Sequence, residues 1–199
     1  MVWKDDKSRC YIVNSAYAKL NNDILRERQE EYTKLWNTRA LPTAQICVWR
    51  ALQDMLATYE NLQNKGILVK NGMCVFCGIH AETNNHLFFN CVVVARIWKL
   101  CDKWAGIQFV NHSLIKEHFF SFDLVGLGRR ENNIWRVVWV GIVWSIWKHR
   151  NNIIFRNQVP DIEKVFALSQ VKTWAWRSLT RYRRQILLIQ IGVRILFCA

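Results

Sequence analysis

The chain contains few of the residues that interrupt regular structure. Of its 199 residues, eight are glycine and two are proline. Glycine and proline mark many of the turns in folded proteins, so this sequence leaves few places for turns. We therefore predict a mainly α fold in which long helices are joined by a small number of breaks.

Acidic residues are scarce in the last third of the chain. Residues 129–199 hold thirteen Lys/Arg against three Asp/Glu, which supplies +10 of the total net charge of +13. A region of this kind attracts polyanions, nucleic acid first and anionic membrane surfaces second. A solubilising face is an equally good explanation of basic charge on its own.

The chain also lacks an apolar helix long enough to cross a membrane. Residues 134–147 are apolar almost throughout, but fourteen residues are fewer than the roughly 20 that a bilayer requires, and Arg136 lies among them. A buried helix is the better interpretation, and no membrane association is predicted. A disordered chain is excluded by 51% hydrophobic residues and eleven tryptophans.

A secretory signal peptide and an even set of cysteines are both missing. Charged residues interrupt the start of the chain from Lys4 onwards, and the cysteines number seven. Disulfides are therefore not expected, and an intracellular, reducing compartment is predicted, either nucleus or cytoplasm. Four cysteines are predicted to be free thiols: Cys10, Cys47, Cys101 and Cys198.

Four residues within eighteen positions do indicate a specific chemistry: Cys74, Cys77, His86 and Cys91. Two cysteines separated by two residues can direct both thiolates at one point, and a histidine and a third cysteine complete a four-coordinate shell that suits Zn²⁺. Because all four positions of the shell are filled, the pattern favours a structural zinc knuckle over a catalytic site. The alternative is four unrelated buried residues, since free cysteine is common in protein cores.

The spacing within this set makes two further predictions. Five residues of α-helix rotate His86 and Cys91 roughly 140° apart, so the helix must break between them. We place Cys91 at the start of the next helix, residues 92–104, where the positive helix end would help to ionise its sulfur. His80 is the competing imidazole, but its position two residues after Cys77 would strain the loop.

Caps and apolar spacing predict the helices. Helices are expected over residues 15–20, 23–38, 92–104, 113–122, 131–155 and 161–183. Two more are expected after the N-caps Thr43 and Thr58, and glycines end two helices, at Gly66 and Gly106. Gly126 and Gly128 are the predicted boundary between two lobes. The predicted organisation is a domain at 11–105, a connecting segment at 106–128, a basic, Trp-rich helical region at 129–184, and a tail at 185–199 of unknown structure and role.

Around the four metal ligands, the sequence resembles the zinc-binding domain of reverse transcriptases from plant non-LTR (LINE-type) retroelements. The similar segments are YIVNSAYAKL (residues 11–20), KLWNTRALPTAQICVWRAL (34–52), NLQNKGI (61–67), CVFCG (74–78), ETNNHLFFNC (82–91) and Trp98. A later segment, WSIWKHRNNIIF (144–155), is similar to one that often follows this domain in plant retroelement-derived proteins. The resemblance implies a small helical domain with a CCHC zinc knuckle, followed by a second helical segment, and it assigns structural zinc to Cys74, Cys77, His86 and Cys91.

The carboxylates that polymerase and ribonuclease H sites require are missing from the positions where they would be needed. The one adjacent acidic pair, Asp5 and Asp6, lies near the start of the chain with no strand before it, and the basic last third has too few carboxylates to gather around magnesium. The chain is therefore predicted to be a non-catalytic fragment, with no small-molecule substrate.

Two functions follow from this sequence. In the first, the zinc knuckle supports a helical platform that binds RNA or DNA through phosphate contacts. The residues predicted to make those contacts are Arg129, Arg130, Lys148, Arg150, Arg156, Arg177, Arg181, Arg183 and Arg184. In the second, the domain is a zinc-stapled structural or protein-interaction module whose ancestral partner was a polymerase. An enzyme is the weakest interpretation, because no nucleophile and base can be paired from spacing.

Overall fold

The computed structural model describes residues 32–106, 112–123, 126 and 128–179, with side chains as far as residue 176. The chain divides into two compact units, Met1–Asn37 and Thr38–Ala199. In the first unit the described part is a helical turn over residues 32–36. The Asn37 N–H donates a hydrogen bond to the Thr33 carbonyl at 2.9 Å. The predicted helix at 15–20, most of the helix at 23–38, and the tail at 185–199 lie outside the described residues.

The described part of the second unit is helical, and this confirms the predicted mainly α fold. This described part contains no β-strand, and one isolated antiparallel bridge joins Met73 to Ala81. The elements in chain order are α1 (Pro42–Leu52), α2 (Tyr59–Asn64), a π-helix (His86–Asn90), α3 (Ala95–Ala105), α4 (Ile115–Ser121), α5 (Arg129–Arg156) and α6 (Ile162–Leu179).

The start of α1 differs from the prediction. Pro42 is the first residue of the helix and Leu41 is its N-cap, so the prediction that Thr43 caps this helix was wrong. Proline suits the first helical position because its fixed φ is already helical and its missing N–H would have no partner there. The buried face of α1 carries small side chains, including Ala44 and Val48, whereas Ile46, which belongs to the apolar pattern of this helix, is 51% exposed.

Local sequence signals placed three other helix ends correctly. Thr58 caps α2, because its hydroxyl oxygen accepts a hydrogen bond from the Asn61 N–H at 3.3 Å. Gly66 follows that helix with φ +76°, and Gly106 ends α3 with φ +69°. Both glycines take the left-handed conformation that commonly terminates a helix and that other residues adopt only with strain.

The 28-residue helix α5 is the centre of the second unit. It packs against both α1 and α6, and α6 also packs against α3. At Gly141 a Cβ atom would lie 2.6 Å from the Thr173 hydroxyl, so α5 and α6 approach closely at that point. An apolar helix needs partners on several sides, and Trp139 and Ile142 of α5 are both completely buried.

The predicted boundary at Gly126 and Gly128 does not separate two cores. Trp139 of α5 stacks at 6.4 Å on Phe89, which belongs to the zinc-knuckle segment, and α5 also contacts α1. The segments on either side of these glycines therefore share one apolar core, and the expectation of two lobes was wrong. Among the described residues, no helix has both the length and the apolar character needed to cross a bilayer.

Candidate metal centre

A tight loop positions the first two predicted ligands. The Cys74 N–H donates to the His80 carbonyl at 2.7 Å, and the Gly78 N–H donates to the Cys74 carbonyl at 2.8 Å. Gly78 has φ +66°, which allows the chain to reverse immediately after Cys77. The bridge between Met73 and Ala81 closes the base of the loop, so both thiols project from one rigid turn.

A widened helix supplies the other two ligands. The chain is helical from residue 84, and the Thr83 hydroxyl accepts a hydrogen bond from the His86 N–H at 3.0 Å. The residues from His86 onward form a π-helix, and the Cys91 N–H donates to the His86 carbonyl at 2.8 Å. This hydrogen bond spans five residues, so it brings Cys91 over His86 in a way that an α-helix does not.

The predicted break between His86 and Cys91 is confirmed, because Cys91 itself has an extended backbone, with φ −71° and ψ 121°. The π-helix before it was not predicted. Helix α3 begins at Ala95, three residues later than expected, although the Ala95 N–H already donates to the Cys91 carbonyl at 2.8 Å. Cys91 therefore lies just before the positive end of α3, as predicted.

The four ligand atoms lie within 4.8 Å of one another. The Cys74 and Cys91 sulfurs are 3.9 Å apart, and the Cys77 sulfur is 3.4 Å from His86 Nε2. In a tetrahedral zinc site with Zn–S near ~2.3 Å and Zn–N near ~2.0 Å, neighbouring ligand atoms are roughly 3.5–3.8 Å apart. These residues therefore fit a zinc ion with small adjustments, and they form one cluster, not four unrelated buried side chains. The exposed His80 lies beside this cluster, its ring 5.3 Å from that of His86.

At Cys91 and His86, but not at Cys74, the surroundings favour the protonation state that zinc requires. The Cys74 thiol and the backbone N–H groups of Val93 and Val94 hydrogen-bond the Cys91 sulfur and lower its pKa. Burial and the nearby His80 lower the pKa of His86, which keeps its imidazole neutral. The hydrogen bond to Cys91, followed by burial, raises the pKa of Cys74, so loss of that proton depends on a bound cation.

Comparison with known proteins agrees with this geometry. Residues 11–98 match the family model described as zinc-binding in reverse transcriptase. This match confirms the resemblance to a reverse-transcriptase zinc-binding domain, and all four ligands lie within it. The match covers the zinc-binding domain of reverse transcriptase and does not extend to a catalytic domain. No curated protein and no solved structure matches the chain.

Because these three cysteines and one histidine can fill a tetrahedral shell, the cofactor is structural zinc. Cys74 and Cys91 are almost completely buried, and Cys77 is half-buried. Four protein ligands leave no position for a reacting water. The role that the site supports for zinc is therefore structural, because the ion joins the CxxC loop to the π-helix.

The choice between the two imidazoles is testable. His86→Ala should weaken zinc affinity by more than about 100-fold. Loss of a side chain that only orients a metal ligand costs ~10–100-fold in affinity, and loss of the ligand itself should cost more. His80→Ala is the matched control, and it should leave zinc affinity within about twofold of wild type. Competition with a chromophoric chelator measures both variants, and a larger loss for His80→Ala would contradict the assignment.

A segment directly before the π-helix fastens the zinc knuckle to the rest of the fold, and sequence reasoning missed its role. Asn84 donates from its side-chain amide to the Ala51 carbonyl of α1 at 2.7 Å. The Asn85 side-chain oxygen accepts from the Ile115 N–H at the start of α4, at 3.1 Å. Because these partners lie about 30 residues away in sequence, local pattern could not reveal them.

Glu82 makes the third connection, and its partner corrects one prediction. The Glu82 carboxylate is fully buried and accepts hydrogen bonds from the Arg150 guanidinium, at 2.5 Å from Nη2 and 3.2 Å from Nε. The Arg150 guanidinium lies between the rings of Tyr59 and Trp147, 4.9 Å from each centroid. The prediction that Arg150 contacts phosphate was therefore wrong, because a buried carboxylate requires a buried cation beside it.

The other predicted phosphate contacts lie in different environments. Arg129, Arg130, Lys148 and Arg156 are exposed on α5. The side chains of Arg177, Arg181, Arg183 and Arg184 lie outside the described residues. The structure thus places four of the predicted cations on the surface, and their binding to nucleic acid stays a prediction.

Proposed function

We propose that this chain is a non-catalytic nucleic-acid-binding domain in which zinc holds the fold and surface cations bind phosphates. The observation that carries the proposal is a closed Cys₃His site fastened to α5, a helix that exposes cations along its length. The net charge of +13 supplies the long-range attraction to a polyanion.

The cations on α5 are spread over a long rigid element. Arg129 and Arg130 begin the helix, Lys148 lies in its second half, and Arg156 ends it. At a rise of 1.5 Å per residue, a helix of this length extends roughly 40 Å. Cations fixed along such an element can meet several phosphates of one strand without a prior folding step, which lowers the entropic cost of binding.

The proposal includes an origin and an absence of catalysis. The family match and the WSIWKHRNNIIF segment support descent from a plant LINE-type retroelement. Four protein ligands on the zinc support a purely structural metal. None of the described cysteines forms a disulfide, which supports a reducing compartment.

The second candidate function is a protein-interaction module, and exposed apolar side chains favour it. Leu68, Ile79 and Val92 lie before, within and directly after the zinc knuckle and are 100%, 62% and 62% exposed. Apolar surface of this kind marks many protein interfaces. A polymerase domain is the partner that the family match suggests.

The salt dependence of binding distinguishes the two functions. For a fluorescently labelled single strand of about 20 nucleotides, we expect log Kd to rise linearly with log salt by roughly 0.7 for each phosphate contacted. Four contacts would give a slope of about 2.8 between roughly 50 and 200 mM salt. Anisotropy measured with RNA and with DNA gives both the slope and the preference. If the affinity of zinc-loaded protein for the strand does not change with salt, nucleic-acid binding is rejected and the interaction module remains.

A further inference from the structure

Two lysines from different helices meet over one turn of α5. Lys172 of α6 has its Nζ atom 3.3 Å from the Ser145 hydroxyl oxygen. Lys148 has its Nζ atom 5.5 Å from the centroid of the Trp144 ring. Trp144 and Ser145 are adjacent, and Lys148 follows them by one helical turn, so both ammonium groups lie over the same part of α5.

The charges around these lysines do not compensate them. Burial, and then the charge of Lys148, lower the pKa of Lys172. Both influences act in the same direction, whereas a facing carboxylate would raise this pKa. Positive charge from α5 and α6 therefore meets at this point, and a bound anion would relieve the repulsion.

The spacing of the two lysines is fixed by the contact between α5 and α6. Gly141 lies one turn before Ser145, and Thr173 directly follows Lys172. A Cβ atom at Gly141 would lie 2.6 Å from the Thr173 hydroxyl, so the two backbones are held close at this point. The Lys172 side chain is half-buried and directed at Ser145, which is itself 3% exposed. The two ammonium groups are thus positioned before any ligand arrives.

We propose that Lys148 and Lys172 form a phosphate-binding subsite for the backbone of a single-stranded nucleic acid, with Ser145 holding the Lys172 ammonium group in place. This lysine subsite rests on the proposed function and deepens it by naming where the strand crosses the domain. Lysine ammonium groups bind phosphate as point charges, and the buried serine hydroxyl fixes the position of the Lys172 ammonium group. The half-buried ring of Trp144 lies beside the subsite and is suited to stack on the neighbouring base. A lipid headgroup has no base that would need such a ring.

The test compares two lysine variants of the full chain. Lys148→Gln/Lys172→Gln removes both ammonium groups of the subsite. Lys164→Gln is the matched control, because Lys164 is an exposed lysine of the same helix α6. Its backbone N–H donates to the carboxylate of Asp161 at 2.9 Å, a bond that the substitution leaves in place. With a labelled single strand of about 20 nucleotides, the double variant should bind roughly tenfold more weakly and its log–log salt slope should fall by about 1.4, or ~0.7 per lost contact. The control should change affinity less than about twofold and keep the wild-type slope.

The outcomes separate this subsite from the proposed function. If wild-type protein binds with a steep salt dependence and the double variant binds equally well, the subsite is overturned while nucleic-acid binding stands. If wild-type protein binds no strand, both proposals fail. If the double variant loses binding to phosphatidylserine vesicles but keeps binding to the strand, the site belongs to lipid headgroups and this proposal is also overturned.

Two further variants guard against a folding defect. Zinc content and the far-ultraviolet helical signal of every variant should equal those of wild type. If the double variant fails this check, exposed Lys148→Gln alone should reduce the slope by about 0.7, and an unchanged slope would overturn the subsite. Lys148→Arg/Lys172→Arg keeps both charges and should restore affinity to within about threefold of wild type.

Discussion

Replacing Cys77 by serine should remove the bound zinc and unfold the zinc knuckle, the largest effect expected of any single substitution in this chain. Structural zinc supplies roughly 10–16 kcal/mol of apparent binding energy near neutral pH, and in small sites that energy is folding energy. Cys77 is half-buried, so serine leaves no large cavity and its effect reports on the metal. Metal content per chain and the far-ultraviolet helical signal measure the result.

The unfolding should spread beyond the knuckle, because the knuckle is fastened to three other elements. Asn84 bonds to the end of α1, Asn85 to the start of α4, and Glu82 to Arg150 of α5. Without zinc the π-helix loses the ligand bonds that join it to the CxxC loop, and these three contacts lose their fixed geometry. We therefore expect a loss of helical signal larger than the five residues of the π-helix contribute.

A second cysteine provides the control. Cys47 is a buried thiol of α1 that lies outside the cluster, and Cys47→Ala removes one sulfur while favouring helix. This variant should keep one zinc per chain and lose no more than a few kcal/mol from the lost burial. Retention of a full zinc and of the wild-type melting temperature by Cys77→Ser would contradict the account.

The second large effect is expected at the buried ion pair. Arg150→Met should lower the free energy of unfolding by about 3–5 kcal/mol, because it leaves the Glu82 carboxylate buried without a cation. Methionine retains most of the apolar stem between the Tyr59 and Trp147 rings, so the loss comes mainly from the charge. Urea unfolding monitored by tryptophan fluorescence measures the change. The variant should still bind one zinc, which distinguishes this effect from that of Cys77→Ser.

A double-mutant cycle and an exposed pair test the interpretation. Glu82→Gln alone leaves the guanidinium unpaired, and the double variant Glu82→Gln/Arg150→Met should cost clearly less than the two single losses added together. Arg96 and Glu163 form a pair at 3.3 Å that is mostly exposed, with side chains 64% and 69% accessible. Arg96→Met should therefore cost less than about 1 kcal/mol. Equal costs for Arg150→Met and Arg96→Met would show that burial of the Glu82 pair is not what stabilises the fold.

The metal ligands could be predicted because coordination chemistry restricts both residue type and spacing. Cys74 and Cys77 had to share one turn, and the end of a helix had to fall near Cys91. The caps at Thr58 and Gly66 were predictable for a similar reason, since each acts on the backbone within a few residues of itself. The π-helix was not predictable, because sequence rules for helices assume the α-helical rotation, and the zinc site depends on departing from it.

Contacts between distant segments account for the remaining errors. Nothing near Arg150 in the sequence distinguishes it from the exposed Lys148 two residues earlier, and the buried position of Arg150 follows from a carboxylate 68 residues away. Likewise, Gly126 and Gly128 mark a turn but carry no information on whether the helices around it share a core. The same limit applied to Ile46, whose exposure depends on which face of α1 meets α5.

The most direct test of the central claim is an X-ray absorption spectrum at the zinc edge of the purified protein. We predict one zinc per chain with three sulfur ligands at about 2.3 Å and one nitrogen ligand at about 2.0–2.1 Å. A spectrum without zinc, or one in which a water oxygen replaces a sulfur, would contradict a closed structural site formed by Cys74, Cys77, His86 and Cys91.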